Sequence, residues 1–223
     1  MSKRAAEAFA KLRPAGERAP LHHAAVGAII ACLLAQGERQ AAETVAFGYD
    51  CCLRGGEWQT VRAHDVDVDT QGNVAVRLGV ISRGEQTKTG PRQGVVPQEE
   101  YVRAILRARK DAAPPGAKLW RLPPASFYAA WHRACDTVGL ADHAAVPHCL
   151  RHAAAAEAIR AGGFTEGAVR ATQLRGRWKS LHSLRRFAKP HLLVSALADT
   201  PPAMAERGKA FWADPTAKFR VQA

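Results

Sequence analysis

The hydrophobic period changes twice along the chain, and this excludes most architectures. From Leu21 to Gln36 the apolar residues Val26, Ile29, Ile30, Leu33 and Leu34 recur at helical spacing, and Gly37 stops the pattern. A second helix is predicted over 40–53, with Val45, Ala46, Tyr49, Cys52 and Leu53 as its apolar face, before the break at Gly55-Gly56. Then the period shortens. Val61 to Val68, Asn73 to Ile81 and Gly94 to Val96 are short β-branched runs. They are separated by Asp69-Thr70-Gln71-Gly72 and Lys88-Thr89-Gly90-Pro91, and so predict three antiparallel strands. After Pro97 the helical period returns with Tyr101, Ile105 and Leu106. Further helices are predicted over 124–138, 148–161, 165–174 and 180–188, with stops at Gly162-Gly163 and Pro190. The expected fold class is α+β, mainly helical, with one small three-stranded sheet. Residues 1–20 read as a basic N-terminal arm, 21–190 as one domain, and 191–223 as a mixed C-terminal tail. No internal repeat is present.

A chain of 223 residues is long enough for one substantial domain. Its 47% hydrophobic and 23% charged residues exclude a mainly disordered polymer. The apolar run Ala24–Ala35 is interrupted by Gly27 and is much shorter than the roughly 20 residues of a membrane span. Met1-Ser2-Lys3-Arg4 leads into an amphipathic stretch, not an apolar one. An intracellular, non-secreted protein without a membrane partner is therefore expected. The cysteines are Cys32, Cys51, Cys52, Cys135 and Cys149, an odd number without a CxxC pair, which argues against both a disulfide framework and a cysteine zinc site. The net charge is +12, and arginine outnumbers lysine 23 to 9. A planar guanidinium matches phosphate oxygens two at a time, so the first expected partner is nucleic acid.

The chemistry-bearing residues are dispersed. Pro147-His148-Cys149-Leu150-Arg151-His152 places His148, Arg151 and His152 on one helical face. There a guanidinium holds charge and an imidazole can move a proton. Histidines at this spacing also suit zinc, but a guanidinium between them repels a cation, so no metal is expected. Arg54 stands at a helix end with Glu57 three residues on to orient it. Lys88 lies at a hairpin turn. Gly176-Arg177-Trp178-Lys179 follows downstream. Residues 148–191 carry nine basic and two acidic side chains, and within them Arg175, Arg177, Lys179, Arg185 and Arg186 are the expected contacts to a phosphate backbone. Trp58, Trp120, Trp131 and Trp212 are read as packing aromatics, and Cys51-Cys52 as small core residues.

The order Arg54-x-x-Glu57, Lys88 at a turn, His148-x-x-Arg151 and Gly176-x-Trp178 resembles the catalytic domain of tyrosine recombinases, the phage integrases. The resemblance runs over roughly residues 20–190. It implies that Arg54 and Arg151 clamp a scissile phosphate and that Trp178 donates its indole N–H to it. It also implies that His148 helps move protons, that Lys88 protonates the leaving 5′ oxygen, and that Glu57 buttresses Arg54. Fixed cations and N–H donors would stabilise charge as it develops on the phosphate oxygens. The implied reaction is metal-free and cofactor-free transesterification on double-stranded DNA, performed by a homo-oligomer, with no small-molecule substrate. The family's helical core-binding domain is expected to be missing or carried by another chain. Residues 191–223 are a candidate oligomer contact.

One position departs from the pattern. The family's nucleophilic tyrosine falls nine residues after the Trp or His, and position 187 here is Phe. The tyrosines are Tyr49, Tyr101 and Tyr128, all before the His148 motif. Phenylalanine keeps the ring and loses the oxygen that attacks phosphorus. The expectation is a DNA-binding relative that is cleavage-deficient as written. A non-enzymatic DNA-binding module domesticated from a mobile element and a type IB topoisomerase-like protein are the alternatives.

Overall fold

The computed structural model describes residues 21–85, 90, 93–140, 146–185, 188, 190–198 and 200–220. Helix α1 (His23–Ala35) is the centre of the fold. It is apolar on every side rather than on one stripe, and Val26, Ile29, Ile30 and Leu33 are fully buried. Helices α2 (Arg39–Asp50), α4 (Pro124–Thr137), α5 (Cys149–Ala161) and α9 (Pro202–Ala213) pack around it. The remaining helices are α3 (Glu100–Ala112), α6 (Glu166–Arg175), α7 (Leu181–Arg185), α8 (Pro190–Ala198) and α10 (Pro215–Phe219).

Between α2 and α3 lies the antiparallel sheet β1 (Val66–Val68), β2 (Val74–Leu78), β3 (Gln93–Val95), with β2 central. Val66 pairs with Val76, and Val76 with Val95, so one face is valine and packs on α3. The β1–β2 turn is built by Asp69, whose Oδ1 accepts from Gln71 N at 2.9 Å and Asn73 N at 2.8 Å.

The strands are shorter than the β-branched runs that announced them. Residues 61–65 are not strand, because Asp65 Oδ2 accepts from Arg62 N at 2.8 Å and folds Ala63–Asp65 into a 3₁₀ turn. Helix α2 stops at Asp50, and Cys52 takes a left-handed φ of 50°. The stretch 191–223, expected as a tail, contains most of α8 and all of α9 and α10. Helix α9 lies so close on α1 that a Cβ on Gly208 would sit 2.1 Å from Ala24 O, and one on Gly27 2.4 Å from Trp212 Nε1. Residues 1–20 lie outside the described residues.

Candidate functional site

The site is assembled where α2 ends, α5 begins and α6 ends. After α2, the chain turns through Cys52 and runs into Arg54-Gly55-Gly56-Glu57. Glu57 folds back on Arg54: its Oε2 accepts from Arg54 N at 2.9 Å, and its Oε1 from Arg54 Nη1 at 2.8 Å. The expected buttress is therefore present. It has a second partner that the sequence did not announce. Arg177, 120 positions later, donates to the same carboxylate at 3.1 and 2.7 Å. It also reaches Gln93 Oε1 at 3.2 Å, tying the site to β3. Arg177 pays for this position with a left-handed φ of 57°. Burial alone would raise the Glu57 carboxyl, but the hydrogen bonds and charges of Arg177 and Arg54 win and hold it below the ordinary carboxylate range.

Arg151 sits beneath this pair. It projects from the first turn of α5 and is 1% exposed. Its Nη1 donates to Cys52 O and its Nη2 to Gly176 O, so the left-handed turn at Cys52 and the end of α6 both anchor one guanidinium. The guanidinium carbon lies 4.1 Å from the centre of the Trp178 ring. Burial, followed by the neighbouring charge of Arg54, pulls the Arg151 pKa down to about 10. The group is still fully protonated at neutral pH. Gly176 is required by space: a Cβ there would lie 1.6 Å from the Trp178 ring.

His148 and His152, one turn apart, meet edge to face with centroids 5.4 Å apart. His148 is exposed and His152 half-buried. The structure thus brings together Arg54, Glu57, Arg151 and Trp178, with the two histidines on the helix that carries Arg151. Lys88, Phe187 and Arg186 lie outside the described residues. Glu85 and Gln93, which flank the Lys88 segment, are both held by arginines, Arg83 at 2.7 Å and Arg177 at 3.2 Å.

The expected phosphate contacts divide into two groups. Lys179 and Arg185 are exposed. Arg175 and Arg177 have internal duties instead. Arg175 is bound to Asp50, with Nη2 to Oδ1 at 2.6 Å and Nε to the carbonyl at 2.9 Å. Arg177 is consumed by Glu57, and these two guanidinia close the site rather than coat it. The Cys51 and Cys52 thiols are buried and pushed up by that burial, as small core residues would be. Tyr49 and Tyr101 are buried as well, and desolvation raises both hydroxyls, so neither is a ready nucleophile. Among the described residues no cluster of histidine, cysteine and carboxylate suits a metal ion, and no helix is long and apolar enough to cross a membrane. Neither a known protein family nor a curated protein matches the chain.

Proposed function

We propose that the chain binds double-stranded DNA and seats one backbone phosphate over the Arg54–Glu57–Arg151–Trp178 cradle, as the catalytic domain of a tyrosine recombinase does. The observation that carries this reading is the convergence of segments far apart in sequence: Arg54 and Arg177 share the Glu57 carboxylate, and Arg151 lies between the Cys52 and Gly176 carbonyls and against the Trp178 ring. Three guanidinia and a single acid leave a surplus of positive charge at a partly open surface. Arg54 and His148 would meet the phosphate first. Arg151 acts from below through a charge that its two carbonyl anchors cannot neutralise. Lys179 and Arg185 suit the flanking phosphates.

In an intact relative a tyrosine oxygen attacks phosphorus, a 3′-phosphotyrosine link forms, and the 5′ oxygen leaves with a proton, here from Lys88. With Phe187 at the nucleophile position this chain would bind without making that link. The anchored ends of the Lys88 segment support such a role, because Gln93 connects the segment to Arg177.

The test is a nicked suicide duplex incubated with the parent chain and with Phe187→Tyr, read on a denaturing gel. A covalent adduct only with Phe187→Tyr is expected. An adduct with the parent overturns the deficiency. No adduct with either, while both bind DNA, favours a non-enzymatic DNA-binding module. Loss of supercoils without strand exchange by Phe187→Tyr would favour a topoisomerase-like protein.

A further inference from the structure

A second cavity, of about 360 Å³, opens between the start of α1, the end of α2, the start of α3, the middle of α5 and the end of α9. Its character is opposite to that of the chain. The net charge of the whole is +12, yet the cavity is lined by the carboxylates of Asp50, Glu99 and Glu157 against one guanidinium, Arg175. Its aromatic members are His23, Tyr49, Tyr101 and Trp212. His23 stacks on Trp212 with centroids 4.0 Å apart, and its Nδ1 lies 3.1 Å from Tyr49 Oη. Burial lowers the pKa of His23, so the ring adds no positive charge at neutral pH.

Two groups in this cavity make no hydrogen bond or ion pair among the described residues. Tyr101 is 3% exposed, and its buried hydroxyl makes no hydrogen bond among the described residues. Such an orphan is costly in a folded protein. Tyr101 lines this cavity, and so do Asp50, Glu99 and Tyr49, the groups whose charge acts on its hydroxyl. The Glu99 carboxylate is exposed and makes no ion pair among the described residues. The other two acids are occupied. Asp50 is held by Arg175 and by the backbone N–H of Gln98 at 3.0 Å, and Glu157 by Arg160 at 2.6 and 2.9 Å.

We propose that this cavity binds an aliphatic primary amine in its ammonium form, which donates to the Glu99 carboxylate and the Tyr101 hydroxyl among the rings of Tyr49 and Trp212. An ammonium has three donors and no acceptor, which matches the Glu99 carboxylate and the Tyr101 hydroxyl oxygen; the Arg175 guanidinium in the same lining is already taken by Asp50. Aromatic rings favour a cation over a neutral donor of equal size. A strongly basic chain repels amines elsewhere, so saturable binding would identify this one place. The shared chemistry has two sources, a free diamine or a lysine side chain, and the experiment separates them.

The full chain is titrated calorimetrically with 1,4-diaminobutane, with Nα-acetyl-lysine amide, and with uncharged 1,4-butanediol. Saturable binding of an amine and none of the diol is expected, and the tighter amine identifies the source. Glu99→Gln, an exposed change that spares the fold, should weaken binding by about tenfold. Tyr101→Phe, which removes one oxygen, should weaken it by several-fold while the melting temperature of the free protein holds or rises, because an unpaired buried hydroxyl is lost. Absence of saturation with both amines overturns the proposal, and so does unchanged affinity in either variant.

Discussion

Glu57 is the residue on which most of the site depends, since one carboxylate orients two guanidinia from distant segments. Glu57→Gln keeps the shape and leaves Arg54 and Arg177 facing each other without a counter-charge. A loss of about 3–5 kcal/mol at neutral pH is expected by chemical denaturation. Because its folded pKa is depressed, Glu57 contributes stability above the ordinary carboxylate value of 4.5 that disappears as pH falls through the folded value. The gap between parent and Glu57→Gln should therefore be widest near neutrality and close in acid. Gly176→Ala tests the ring contact separately: the added methyl drives the indole away from Arg151, and DNA affinity should fall by about tenfold in an anisotropy titration. Arg54 and Glu57 were legible in the sequence because they stand three positions apart. Arg177 was read as a phosphate contact, since nothing local distinguishes a basic side chain that meets solvent from one that meets an acid 120 positions away. The carbonyls of Cys52 and Gly176 were equally invisible, because a backbone anchor leaves no mark in residue identity.

Among the elements, α1 and α9 make the tightest crossing. Gly27 and Gly208 let the two backbones approach, and Trp212 Nε1 donates to His23 O at 2.9 Å across the contact. Gly208→Ala forces a methyl into Ala24 O and should cost about 1–3 kcal/mol in thermal or denaturant unfolding, while Gly55→Ala, which meets nothing within 4 Å, should change little. The helix–sheet–helix order was readable from the change in hydrophobic period, and α1, α2, α4, α5 and α6 lie within a few residues of their expected bounds. Strand lengths were not, because β-branched residues mark a half-buried extended surface without saying which of them pair. The content of 191–223 was missed because the buried face of α9 is Met204, Gly208 and Phe211, and a glycine in the middle of so short a stripe leaves only two apolar residues to carry a periodic signal.

For the molecule as a whole, the proposal of a DNA partner rests on the distribution of charge. Arginines either knit the fold, as Arg83, Arg109, Arg175 and Arg177 do, or stay in solvent with Lys179 and Arg185. Among the described residues, the second group and the cradle are the ones placed to release counterions from a polyanion. If about five phosphates are neutralised, DNA affinity should fall by two to three orders of magnitude between about 50 and 200 mM salt. A flat salt response would remove the electrostatic basis of the DNA reading.

The α1–α9 crossing also sets an order of events at synthesis. His23–Ala35 is synthesised well before Pro202–Ala213, so the greasiest segment must wait for its lid. Until Pro202–Ala213 has been made, that segment is a natural client for holdase chaperones, and a polypeptide cut before residue 202 would be prone to aggregate.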